Sequence, residues 1–150
     1  MIPASVQIVR LTDALPDDFE ALRLEASAQS FAFIEGLREE WLAGRYDSGD
    51  DRFAAFAAFH EGELAGIGAV TPDPYDPEPD LLRVRHVYVR SLHRGAGVGR
   101  VLAAALIQQG LALASRLSLR AADRHAAAFW EANGFRPDKG GTRRSHLLTR

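Results

Sequence analysis

Apolar positions along this chain keep two different spacings, and the changes between them mark out its elements. Val6 to Leu11 reads as a short strand, with Thr12 and Asp13 as turn or cap residues and Pro16 suited to a first helical turn. Phe19, Leu22 and Ala26 then share one helical face. Ile34, Leu37 and Trp41 share another, in a run that ends near Gly44 and carries Glu35, Glu39 and Glu40 on its other side. Phe53 to Phe59 and Leu64 to Val70 are strand-like and are joined by Glu61-Gly62, a hairpin signal. Leu82 to Val89 is again strand-like and rich in branched and aromatic residues. The six-residue turn Arg94-Gly95-Ala96-Gly97-Val98-Gly99 follows it. Val98, Val101, Leu102, Ala105 and Leu106 then fall on one helical face. Arg116 to Ala121 alternates as a strand. Asp123 caps a helix from Arg124 to Asn133, and Gly134 stops it so that Phe135 can pack back. A last hairpin closes the chain. The predicted order is β-α-α-β-β-β-α-β-α-β-β, an α/β protein whose mixed sheet carries helices packed on it.

Within Leu82–Val89 the apolar parity switches. Leu82 and Val84 share one parity, Val87 and Val89 the other. Side chains alternate faces along a strand, so the apolar set would change sides of the sheet. Two readings account for this. One extra residue near Arg85-His86, a β-bulge, restores the face and bends the strand. Alternatively, the strand is buried on both faces and parity carries little meaning.

The 150 residues are 47% apolar and 25% charged, ordinary for one globular domain over residues 1–150. The absence of cysteine rules out disulfides, thiolate metal ligands and a cysteine nucleophile. No signal-peptide pattern and no apolar run of about 18 residues is present, which predicts a cytoplasmic protein that does not enter a membrane. The net charge of −2 conceals a polarity: residues 1–80 hold 5 Arg/Lys against 17 Asp/Glu, and residues 81–150 hold 13 against 3. Either the halves seek partners of opposite charge or they attract each other inside the fold. The acid-rich half predicts a cationic partner. In Thr71–Asp80, four prolines exclude a strand interior or helix; Asp73, Tyr75 and Asp76 there could line a cation-accepting mouth or form a solvated connection.

The glycine turn carries the chemistry. A strand that runs through glycines into a helix N-terminus aims several backbone N–H groups at one point, where the helix dipole adds partial positive charge. Arg94 and Arg100 bracket that point. The expected ligand is a pyrophosphate.

Val87-Tyr88-Val89, the RGAGVG turn and the later HAAAFWEANGF together resemble the GNAT superfamily of acyl-CoA-dependent N-acetyltransferases. The family turn is Arg/Gln-x-x-Gly-x-Gly/Ala, matched here by Arg94, Gly97 and Gly99. The resemblance implies a splayed, bulged central strand. It implies that acetyl-CoA is the co-substrate, with its pyrophosphate on the amides of Arg94, Gly95, Ala96, Gly97, Val98 and Gly99, beside Arg100. Val87 and Val89 would pair with the pantetheine arm as though it were an added strand. Asp123 stands where the family often has an Asn that contacts the cofactor, and Trp130 where it often has a Tyr that protonates the departing thiolate. Homodimers are common in the family.

Trp130 departs from that pattern, because an indole is no proton donor at neutral pH. The central strand also carries Arg83 and Arg85 where some members have a glutamate base. Catalysis would then rest on holding amine and thioester together and on a donor for the oxyanion, assigned to the Val89 N–H. Proton removal would run through water to His86 or Tyr88. His93, His125 and His146 lack the spacing of a metal site, and no metal is expected.

The predicted activity is transfer of an acetyl group to a primary amine on a small molecule or peptide. A non-catalytic acyl-CoA-binding sensor or interaction module is the alternative. A dinucleotide site would need an acid about 20 residues beyond its turn, where Arg116–Arg120 is basic. Nucleic-acid binding is not expected, because the arginines of the basic half are scattered and lack an aromatic strip.

Overall fold

The computed structural model describes residues 6–140 and 143–150. Its elements follow the predicted order: β1 (Val6–Leu11), α1 (Phe19–Ala28), α2 (Phe33–Leu42), β2 (Ala54–His60), β3 (Glu63–Pro72), β4 (Leu81–Val89), α3 (Val98–Leu111), β5 (Arg116–Leu119), α4 (Arg124–Ala132), β6 (Arg136–Pro137) and β7 (His146–Thr149). Single 3-10 turns at Arg45–Asp47 and Ser91–His93 were not predicted. Gly141 of the predicted last hairpin lies outside the described residues.

The strands form one sheet in the order β1-β2-β3-β4-β5-β7-β6. All neighbours are antiparallel except β4 and β5, which run parallel. One face of the sheet is covered by α1 and α2, through Phe19, Leu22, Ala26, Ile34 and Leu37. The other is covered by α3 and α4, through Val98, Leu102, Leu106 and Trp130. Burying both faces requires central strands that are apolar throughout, as the continuous burial of β3 from Leu64 to Thr71 shows.

The parity switch in β4 is resolved by a bulge. Ile67 pairs with Tyr88 and Ala69 with Arg85, so His86 and Val87 together oppose Gly68. His86 takes a left-handed φ of +60° to make the kink. Leu82, Val84, Val87 and Val89 all then reach the core on the α3–α4 side. A Cβ at Gly68 would stand 2.8 Å from the Cδ1 of Leu106, so the glycine lets that side chain lie close where α3 crosses the kink.

Three boundaries moved for tertiary reasons. β3 runs two residues into the proline-rich segment, because Thr71 and Pro72 still pair with Arg83 and Leu82. β5 stops at Leu119 instead of Ala121, since its pairing with β4 ends at Arg83–Ser118. α1 starts at Phe19, past Pro16, whose carbonyl accepts the Phe19 N–H at 2.9 Å.

Candidate active site

The parting of β4 and β5 creates the site. Their parallel pairing covers only Leu81–Arg83 against Arg116–Ser118, so β4 has an open edge from the bulge onward. On its other edge, Val89 faces Gly66, and the next ladder bond runs from the Arg90 N–H to the Ala65 carbonyl at 2.8 Å. Because antiparallel bonds alternate, the N–H and C=O of Val89 point into the gap left by β5. Val87, two residues earlier, points the same way.

A cleft of about 760 Å³ fills this gap, between the open edge of β4, the glycine turn and α4. Gly95 and Gly97 hold φ of +83° and +82°, which side chains rarely adopt, and Gly97 is the N-cap of α3. This geometry turns the backbone amides outward. From Gly95 to Arg100, no N–H donates to a protein acceptor among the described residues; only that of Arg94 is engaged, by the Ser91 carbonyl at 3.3 Å. Six consecutive free donors at a helix N-terminus suit an anion with several oxygens. Ala96 turns its methyl onto the core while the rest of the turn lines the cleft.

The charged side chains of the turn are arranged differently from each other. Arg94 donates through Nε to the Val89 carbonyl at 3.0 Å and through Nη2 to Gln29 at 3.0 Å, and its guanidinium lies 5.5 Å from the centre of the Tyr88 ring. It therefore spans the cleft mouth and satisfies the carbonyl that β5 leaves unpaired. Arg100 is exposed and makes no ion pair among the described residues. Asp123 lines the opposite wall, and its carboxylate accepts the Ala126 N–H at 2.9 Å, capping α4. Trp130 lines the same wall, buried edge-on between Phe129 and Phe135 at 5.0 and 5.5 Å.

His86 and Tyr88 turn to the α1–α2 side. The His86 Nε2 lies 2.9 Å from Glu40, which also receives Arg85 at 2.6 Å and the Tyr46 hydroxyl at 2.9 Å. Burial pushes the Glu40 carboxyl up, but the hydrogen bonds and charges of His86 and Arg85 outweigh it and hold it at about 2. Glu40 is thus ionised at neutral pH and can only accept, so Nε2 carries the proton. The other ring nitrogen, Nδ1, is buried with no hydrogen-bond partner among the described residues. The Tyr88 hydroxyl donates to Glu25 at 2.6 Å. Burial, then the hydrogen bond and charge of Glu25, push it up to about 12, so the hydroxyl keeps its proton at neutral pH and donates it to Glu25.

Glu25 and Glu40 were missed in the sequence as partners of the central strand. A signal existed: each lies three residues after a buried leucine, Leu22 and Leu37, and so beside the face its helix buries. The acids of the first half do not gather at the cleft. Asp73 is buried against Arg83 at 3.2 Å, Asp76 meets Arg144 at 3.0 Å, Glu78 meets Arg116 at 2.9 Å and Glu25 meets Arg90 at 3.2 Å. These acids of the first half are paired with arginines of the second.

Solved structures share this architecture. A protein from Exiguobacterium sp. 255-15, provisionally named an acetyltransferase, superposes with a TM-score of 0.84 at 23% identity, over 96% of this chain and 93% of that one. An acetyltransferase from Thermus thermophilus gives 0.67 at 24% identity, over 97% and 96%. A GNAT-family acetyltransferase from Staphylococcus aureus gives 0.70 at 13% identity, over 96% and 98%. Among curated proteins none matches the chain. The family model described as acetyltransferase (GNAT) family matches residues 10–135, most of the chain and all of the cleft's elements. The chain belongs to the GNAT acetyltransferase family.

Proposed function

We propose that this protein transfers an acetyl group from acetyl-CoA to a primary amine, by direct attack of the amine while both substrates are bound. The observation that carries the reading is the pairing of six unengaged amides, Gly95 to Arg100, with the open β4 edge at Val87 and Val89. A diphosphate followed by an extended amide-bearing arm is the chemistry those two features accept together. The donors would hold the pyrophosphate, with Arg94 and Arg100 beside it. Arg94 would release the Val89 carbonyl to the pantetheine arm. Asp123 and Trp130 would form the facing wall.

Bound acetyl-CoA supplies an activated thioester. The chain supplies position and charge. The Val89 N–H, directed into the gap, is placed to stabilise an oxyanion. Proton removal is assigned to His86 through water, because Glu40 accepts its Nε2–H and Nδ1 is the ring nitrogen left without a partner. Trp130 gives a hydrogen bond at most. A thiol with an ordinary pKa near about 8.5 is a good leaving group without an acid.

Thiol release from acetyl-CoA in the presence of a panel of primary amines tests the reading. Amine-dependent release supports it. Tight binding of acetyl-CoA with no release for any amine would instead support a non-catalytic acyl-CoA-binding module, the reading that the Trp130 position favours.

A further inference from the structure

The cleft continues beyond Val87 and Trp130 into a smaller chamber of about 220 Å³. Phe33, Val87, Ala122, Ala126 and Trp130 line both spaces, so a molecule in the chamber reaches the far end of the cleft. Its other walls include Tyr75, Arg83, Arg85, His86 and Arg120, and no carboxylate among the described residues lines it.

The charges around the chamber do not cancel. Arg83 is buried and neutralised by Asp73. Arg85 is paired with Glu40, which also accepts the His86 Nε2–H, so the excess charge comes from the two arginines that follow. Arg120 is exposed at the end of β5 and meets no carboxylate among the described residues. The guanidinium of Arg143 adds a further positive charge 5.1 Å from the Tyr75 ring. An ammonium group entering this space would meet guanidinium groups and no free acid. A carboxylate or phosphate would find fork-shaped donors.

We propose that the acceptor is an amine bearing an anionic group, a carboxylate or phosphate, held in this chamber by Arg120 and Arg85. The proposal rests on the transfer reading above and names its substrate class. It reverses the cationic amine that the acid-rich first half predicts, because no acid of that half lines the chamber among the described residues and the nearest ones, Glu40 and Asp73, are paired with Arg85 and Arg83. It also serves the chemistry: positive surroundings disfavour the ammonium form, so the amine is more readily present as the nucleophile.

The test compares amines that differ only in that charge: glycine with glycinamide, and phosphoethanolamine with ethanolamine, with spermidine as the cationic arm. Thiol release is expected to give the anionic member of at least one pair a kcat/KM tenfold or more above its neutral partner, and the better pair tells carboxylate from phosphate. Arg120→Glu should erase that preference through acceptor KM and leave the KM for acetyl-CoA unchanged, while Arg120→Lys keeps part of it. Equal use of neutral and anionic partners, superior use of spermidine, or an unaltered preference in Arg120→Glu would overturn the proposal. Absence of release with every amine sinks the transfer reading instead. The same pairs titrated by calorimetry into protein loaded with coenzyme A then decide the charge question alone, with equal affinities counting against it.

Discussion

The Tyr88 hydroxyl lies 2.6 Å from a carboxylate oxygen of Glu25, a residue 63 positions earlier in the chain. Glu25 also accepts the Ser91 N–H at 2.9 Å, so one carboxylate on α1 ties down both β4 and the start of the segment that leads to the glycine turn. Burial raises the Glu25 carboxyl, and the bonds from Tyr88, Ser91 and Arg90 more than reverse this. Tyr88→Phe removes a hydrogen bond to a charged group and should cost about 1.5–3 kcal/mol. Urea unfolding would show a lower midpoint with an unchanged slope. Because the hydroxyl stays protonated to about pH 12, the pH profile of thiol release near neutrality should not move.

Glu40 links stability to acid. Its carboxyl is held at about 2 against an ordinary 4.5, so its contribution is complete above 4.5 and is lost as the pH falls from there toward 2. Glu40→Gln should cost about 3 kcal/mol at neutral pH, since Arg85 and His86 lose a shared partner. It should also flatten the acid limb of stability across that window. Thermal melts at stepped pH check both, and an unchanged acid limb would remove Glu40 from the account.

Gly97→Asp tests the anion cradle. At a φ of +82° a side chain costs about 1–2 kcal/mol, which leaves the fold standing. The new carboxylate would face the amides meant for a diphosphate. Calorimetry should find no coenzyme A binding, whereas Gly97→Ala, which adds strain without charge, should weaken it less. Normal binding by the Asp variant would remove the turn from the site.

The place of His86 in the bulge and the proton-acceptor role proposed for it can be separated by substitution. Asparagine tolerates the left-handed backbone of the bulge and lacks the imidazole. His86→Asn should therefore keep the fold and the coenzyme A affinity, yet lower amine turnover by about 100-fold or more. Unchanged amine turnover would mean that the proton leaves by another route.

Asp123 and Gly134 marked the two ends of α4 from their own chemistry, one by a side-chain cap and one by a φ of +102°. The parity switch located the bulge to within a residue, though an equally valid reading left it out. By contrast, Asp73, Tyr75 and Asp76 read either as a mouth open to cations or as a solvated connection, and only the fold showed Asp73 buried against Arg83 and Ser118. A charge's partner depends on what folds back onto it, and those partners lie 10 and 45 residues away.

Local order was therefore settled by the chain itself: the succession of strands and helices, the kink in β4 and the left-handed glycines that expose the turn's amides. Each depends on neighbours a few residues apart, and backbone sterics and side-chain periodicity act at that range. The tertiary structure alone decided where β5 leaves β4, which carboxylates are spent on arginines, and which guanidinium groups remain at the chamber. Those depend on which distant segments meet, and burial and charge pairing are settled only at that contact.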